Sequence, residues 1–129
     1  MSKTRTVQTA HAPAAIGPYS QAIVAGGFVF CSGQIAIDPQ TNTINTALSI
    51  SAQTQRVMDN LAAVLSAAGT SLDHVVRTTI FLADMADFAA VNEVYAKYFN
   101  TKPPARATVA VKDLPKGAKV EIDAIAILP

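Results

Sequence analysis

Two stretches carry side chains able to do chemistry: Pro104-Ala105-Arg106-Ala107-Thr108-Val109-Ala110-Val111 and Val120-Glu121-Ile122-Asp123-Ala124-Ile125-Ala126-Ile127. A guanidinium such as that of Arg106 grips a carboxylate through two parallel hydrogen bonds, and a carboxylate such as that of Glu121 orients and deprotonates a water. That kit suits a small carboxylic acid attacked by water. Tyr19, the pair Ser32-Gly33 and Asn92 are the other polar or aromatic groups that could help it.

Both stretches alternate and are rich in β-branched residues, so each reads as a strand. Period 2 puts Arg106, Thr108 and Ala110 on one face of the first, leaving Ala105, Ala107, Val109 and Val111 for the core. In the second, Val120, Ile122, Ala124 and Ala126 share one side, and Glu121 and Asp123 share the other with Ile125 and Ile127. The connection, Lys112 to Lys119, has the charge, Pro and Gly of a surface loop and lets the strands pair or sit close in one sheet. Arg106 and Glu121 would then point into one hollow. The same spacing also suits a cross-strand ion pair on a solvated face.

Several chemistries lack their residues. The chain has no Gly-rich phosphate loop, Cys-x-x-Cys, His-Glu-x-x-His or Gly-x-Ser-x-Gly. His11 and His74 have no second imidazole or thiol spaced for a metal. Cys31 and His74 could form a nucleophilic pair, although a buried thiol and an exposed turn histidine are the simpler reading of both.

The totals set further bounds. A length of 129 residues is expected to form one domain, residues 1–129, with a real core. Hydrophobic residues make up 50% and charged residues only 15%, so part of the apolar surface is expected to be covered by another subunit. A formal charge of +1, from ten basic and nine acidic residues scattered along the chain, gives no electrostatic footprint for nucleic acid. One cysteine excludes an internal disulfide framework and fits a reducing compartment. No apolar run reaches the roughly 18 residues of a membrane span. Residues 1–15 carry Lys3, Arg5 and no acid, as transit peptides do, but have no helical apolar face. They read as a first strand, Thr4 to Thr9, and the cytoplasm is expected over the mitochondrion.

The remaining elements must position these groups. His11 to Ala22 contains two prolines and a glycine, which makes it an ordered loop around Tyr19. Ala22–Ala25 and Phe28–Ser32 read as strands joined at Gly26-Gly27, and the second runs into Ser32-Gly33. A glycine there frees backbone N–H groups for a ligand oxygen, or marks an ordinary bulge. Ser49 or Ser51 caps a helix whose stripe is Ile50, Val57, Leu61, Val64, Leu65 and Ala68, with Gly69 closing it. Ser71 to His74 forms one turn, Val75 to Leu82 a central strand, and Asp87 to Phe99 a second helix whose Phe88, Val91, Tyr95, Tyr98 and Phe99 read as core. The sum is an α+β layer, two helices on one face of a mixed sheet. The other face, expected to carry Arg106 and Glu121, meets solvent or a partner.

Three motifs resemble one family closely. Ala15-Ile16-Gly17-Pro18-Tyr19-Ser20-Gln21-Ala22, Ser32-Gly33-Gln34-Ile35, and Pro104-Ala105-Arg106 through Val120-Glu121-Ile122 are similar to the signatures of the RidA/YjgF reactive-intermediate deaminases, also called endoribonuclease L-PSP-like proteins. The similarity runs over essentially the whole chain. It implies a chorismate-mutase-like fold, a homotrimer with sites in the clefts between subunits, and cofactor-free hydrolysis of 2-imino acids such as 2-iminopropanoate and 2-iminobutanoate. By resemblance, Arg106 holds the substrate carboxylate and Glu121 positions the attacking water. Tyr19 lines the pocket, Ser32 and Gly33 surround the ligand, and Asn92 sits near the cleft. Thr108 stands where many relatives have cysteine, a position the family uses mainly through its main chain, so hydrolysis should survive while a thiol response there should not. Cys31 is then the one oxidisable group expected near the site. Family members have also been described as ribonucleases, translation inhibitors and chaperone-like proteins, and these are the rival readings. Neither a metal nor another cofactor is implied.

Overall fold

The computed structural model describes residues 3–99 and 101–129. Eight strands and two helices follow in order: β1 (Thr4–Val7), β2 (Ala22–Ala25), β3 (Phe28–Gln34), β4 (Ile37–Asp38), β5 (Thr43–Ile44), α1 (Ile50–Ala68), β6 (Val75–Leu82), α2 (Phe88–Ala96), β7 (Ala105–Ala110) and β8 (Val120–Ile127). Six strands form a mixed sheet in the order β1-β2-β3-β8-β6-β7, and β4 pairs with β5 in a separate small ribbon. Among the described residues β6 and β7 form the one parallel pair, which the α2 crossover between them allows.

Local chemistry accounts for the helix ends. The Ser49 side chain accepts from the Ala52 amide at 3.1 Å, and Gly69 takes the left-handed conformation (φ 93°) that ends α1. The expected Asp87–Phe99 helix is shorter. A single turn, Met85–Asp87, precedes α2, and after Ala96 the amides of Lys97, Tyr98 and Phe99 tighten into three-residue bonds to Val94, Tyr95 and Ala96. The first strand stops at Val7, and the β4–β5 ribbon, from Ile37 to Ile44, was not foreseen.

The core lies between the sheet and the helices. Val57, Leu61, Val64 and Leu65 of α1 meet Val29, Ile80, Val120, Ile122 and Ala126 of the sheet, all at most 1% exposed. The alternation expected for β8 is the one found. That expected for β7 is not. Arg106 lies in register with Thr78 and Thr108 with Ile80, both buried on the helix side, so Ala105, Ala107 and Val109 turn to the opposite face. Because β7 is an edge strand, Val109 stays 42% exposed.

No helix covers that opposite face. Phe28, Phe30 and Ile127, at 42, 44 and 43% exposed, form an apolar surface on β3 and β8 with the two phenyl centroids 6.2 Å apart. Surfaces of this kind on a small chain mark contacts with other molecules. Among the described residues, no helix is long and apolar enough to cross a membrane.

Leu61, 1% exposed at the centre of the α1 stripe, is a direct probe of this core. Leu61→Ala is expected to destabilise the fold by about 3 kcal/mol, read as a lowered midpoint in denaturant unfolding.

Candidate functional site

Glu121 stands on β8 two residues before Asp123, which faces an irregularity in β3. Cys31 pairs with Ala124, but the next pairing is Gln34 with Ile122, so β3 holds one residue more than its partner between them. The extra residue makes a bulge at Ser32-Gly33. Gly33 leaves room for the carboxylate: a Cβ there would stand 2.9 Å from Cδ and 3.0 Å from Cγ of Glu121, and would collide with Oε2. The ambiguous Ser-Gly signal is therefore a bulge, and its glycine seats an acid.

The bulge is tied to the loop before β2. The Ser32 amide donates to the Gln21 carbonyl at 3.0 Å, and its hydroxyl donates to the Ser20 carbonyl at 2.6 Å. Gln21, 3% exposed, accepts from the Thr9 amide and donates to the Thr9 and Pro13 carbonyls, which ties down the chain on either side of the turn. These links shape a cavity of about 530 Å³ that contains Tyr19, Ser32, Gly33 and Glu121, walled by apolar residues including Ile16, Ile35 and Ile37. Asn60 of α1 fixes that wall from behind, donating to the carbonyls of Ile35 and Ile37 at 3.2 and 2.9 Å.

Burial raises the Glu121 pKa above the ordinary carboxylate value, and the negative charge of Asp123 adds to it. Asp123 itself accepts from the Thr79 amide at 3.2 Å. The result is a proton acceptor more basic than an exposed glutamate.

Arg106 is elsewhere. It lies on the helix side of β7, and β6 runs between its strand and that of Glu121. Glu121 pairs with Phe81 on the opposite face. Within one chain the two groups do not share a hollow, contrary to the expectation from spacing. Two facts set this: β6, not β8, is the neighbour of β7, and its register puts Arg106 beside Thr78.

On its own side Arg106 is held by α2. Its Nη1 donates to Asn92 Oδ1 at 2.7 Å, and its guanidinium carbon lies 5.1 Å from the Tyr95 ring centroid and 5.7 Å from that of Phe88. Asn92 thus joins Arg106, while Tyr19, Ser32 and Gly33 join Glu121. Thr108 is on the Arg106 side, its hydroxyl oxygen buried without a hydrogen-bond partner among the described residues. Phe88 and Tyr95 are core residues, as expected, Tyr95 being buried and Phe88 packed against the core, and they also belong to this group; their spacing of four and three residues around Asn92 was the available signal.

Cys31 does not sit in the cavity. It is buried on the helix side of β3, and loss of solvent together with the Asp123 charge pushes its thiol up to about 12. Such a thiol is neither nucleophilic nor readily oxidised. His74 Nδ1 instead lies 3.1 Å from the Ser71 hydroxyl, in the turn before β6.

A six-stranded mixed sheet with two helices on one face is a recurrent fold, shared with solved structures. The chain belongs to the endoribonuclease L-PSP family, that of the RidA/YjgF proteins, whose family model matches residues 9–128. It is 53% identical to a RutC family protein of Synechocystis over 97% of both chains. The chloroplastic Reactive Intermediate Deaminase A of Arabidopsis thaliana is 49% identical over 98% of this chain and 67% of its own. A human protein named 2-iminobutanoate/2-iminopropanoate deaminase is 43% identical over 95% of this chain and 89% of its own. Among solved structures, one from Entamoeba histolytica titled a putative endoribonuclease L-PSP superposes with a TM-score of 0.93 at 48% identity, covering 98% of this chain and all of that one.

Gly33→Ala tests the seat of the carboxylate. The added methyl should displace Glu121 toward solvent and bring its pKa back toward the ordinary carboxylate range, read by NMR titration of the side-chain carboxyl carbon.

Proposed function

We propose that this protein hydrolyses reactive 2-imino acids, such as 2-iminobutanoate and 2-iminopropanoate, to 2-oxo acids and ammonia. The observation that carries this reading is the Glu121 carboxylate, partly desolvated and held over Gly33 in a cavity that also contains Tyr19, Ser32 and Lys116. Similarity to the human and Arabidopsis deaminases supports the reaction class.

In this reading Glu121 takes a proton from a water whose oxygen attacks the imine carbon. The C=N electron pair moves to nitrogen, which picks up a proton. The hydroxyl proton of the resulting carbinolamine then passes through the Glu121 carboxylate to the nitrogen as the C–N bond breaks, releasing ammonia and leaving the 2-oxo acid. Arg106 binds the substrate carboxylate by two charge-assisted hydrogen bonds, with Asn92 orienting it and Thr108 beside it. Because an imine is already electrophilic, placing the anion next to a poised water accounts for most of the effect required.

Arg106 and Glu121 occupy opposite faces of the sheet, so the complete site takes Arg106, Asn92 and Thr108 from one chain and Glu121, Tyr19, Ser32 and Gly33 from its neighbour. A homotrimer supplies three such sites. The exposed apolar surface around Phe28, Phe30 and Ile127 supports burial against a second copy.

Ionised Glu121 is the active form, so kcat/KM is expected to fall as pH drops through its raised pKa. Asp123→Asn removes a neighbouring negative charge while keeping an acceptor for the Thr79 amide. The acid limb of the pH profile should move to lower pH in that variant.

The reaction and the shared site are tested together with a threonine dehydratase and threonine as imine source, following 2-oxobutanoate release. Arg106→Ala and Glu121→Gln are each expected to lower kcat/KM by about 100-fold or more. Unfolding the two variants together and refolding them as mixed oligomers should restore about a quarter of wild-type activity, since some sites then draw intact halves from different chains. No recovery would mean that both groups act within one chain. Equal imine decay with wild type and with buffer would overturn the deaminase reading.

A further inference from the structure

The groups that hold Arg106 close on themselves. Thr78 pairs with Arg106 across β6 and β7, so both side chains rise on the helix side of the sheet. The Thr78 hydroxyl, on a residue 1% exposed, lies 2.7 Å from the hydroxyl of Tyr95, itself 4% exposed. The Tyr95 ring then turns back to within 5.1 Å of the Arg106 guanidinium, while Phe99 packs on Tyr95 with centroids 4.8 Å apart. One turn earlier on α2, Asn92 takes Nη1 of the same guanidinium. Strand register, hydroxyl pair and ring stack thus make a circuit that begins and ends at one arginine.

A long side chain on an exposed edge strand ordinarily samples many rotamers, and ordering it on ligand binding lowers affinity. Here the stack limits the plane of the guanidinium and Asn92 its rotation. The stack is only as fixed as the ring, and the ring is pinned by its hydroxyl. Burial raises the Tyr95 pKa, so the phenol stays neutral in the physiological range and keeps the proton that the pair shares.

We propose that Thr78 and Tyr95 are positioning residues for Arg106, their buried hydroxyl pair setting the orientation in which the guanidinium meets the substrate carboxylate. The link to substrate rests on the deaminase reading; the ordering of Arg106 does not. Two measurements therefore run side by side on the assembled protein: ¹⁵N relaxation of the Arg106 Nε–H group, and KM and kcat with the dehydratase-coupled assay.

Thr78→Val and Tyr95→Phe should each lower the order parameter of Arg106 Nε–H and raise KM about fivefold, with kcat within about twofold of wild type. The double variant should be no worse than either single one, because both remove the same link. Thr78→Ser keeps the hydroxyl and should restore wild-type values. Unchanged order and KM in folded Thr78→Val and Tyr95→Phe would overturn the proposal, as would a Thr78→Ser protein as loose as Thr78→Val. Loss of order at Arg106 in a protein whose wild type turns over no imine would uphold the anchor and sink the deaminase reading alone.

Discussion

The pairing of β6 with β8 on one side and β7 on the other determines where Arg106, Thr108 and Glu121 can point. Side chains alternate along a strand and partners in register share a face, so one choice of register commits a whole strand. Ile80 and Leu82 fix that choice for β6, since both are fully buried under the helices. Their register partners Ile122 and Val120 follow on β8, which sends Glu121 to the uncovered face. Thr108 and Arg106 follow on β7 and go to the helix side. Burial of a few aliphatic side chains thus decides the placement of the carboxylate and the guanidinium.

The two faces treat their charges differently. Glu121 is partly stripped of water and faces the like charge of Asp123, so its ionised form is disfavoured in the fold. A carboxylate with a raised pKa favours folding below the ordinary carboxylate range and loses that contribution as pH rises through its folded pKa. The acid therefore works against stability at neutral pH. Arg106 remains exposed, and α2 offers it aromatic faces and an amide oxygen. It keeps its hydration on one side and gains direction from the other.

Much of this was legible in the residues. The alternation of β8, the stripe and caps of α1, and the mixed sheet under two helices follow from periodicity and capping, because each is set within a few neighbouring positions. The motifs around Tyr19, Ser32-Gly33, Arg106 and Glu121 pointed to the family. Strand order was not legible, since nothing in the loop from Lys112 to Lys119 says that β6 intervenes between the strands it joins. The core face of β7 was misread for a related reason: alanine and valine outnumber polar residues on the side that the sheet edge leaves open. Tyr95 looked like ordinary core, and only its three-dimensional neighbours reveal that a buried aromatic has a charged partner. Cys31, read as an oxidisable neighbour of the site, proves to be on the other side of the sheet.

The bulge at Ser32-Gly33 and the clamp at Asn92 lie on opposite faces, and this restricts the symmetry by which copies of the chain could combine. A two-fold axis through the open face would set like against like, Glu121 toward Glu121, with both arginines outside the contact. A head-to-tail arrangement instead sets one surface of the chain against a different one, and it either closes into a ring or grows without end. Under the proposed two-chain site, closure makes the number of sites equal to the number of chains, and every copy serves two neighbours at once.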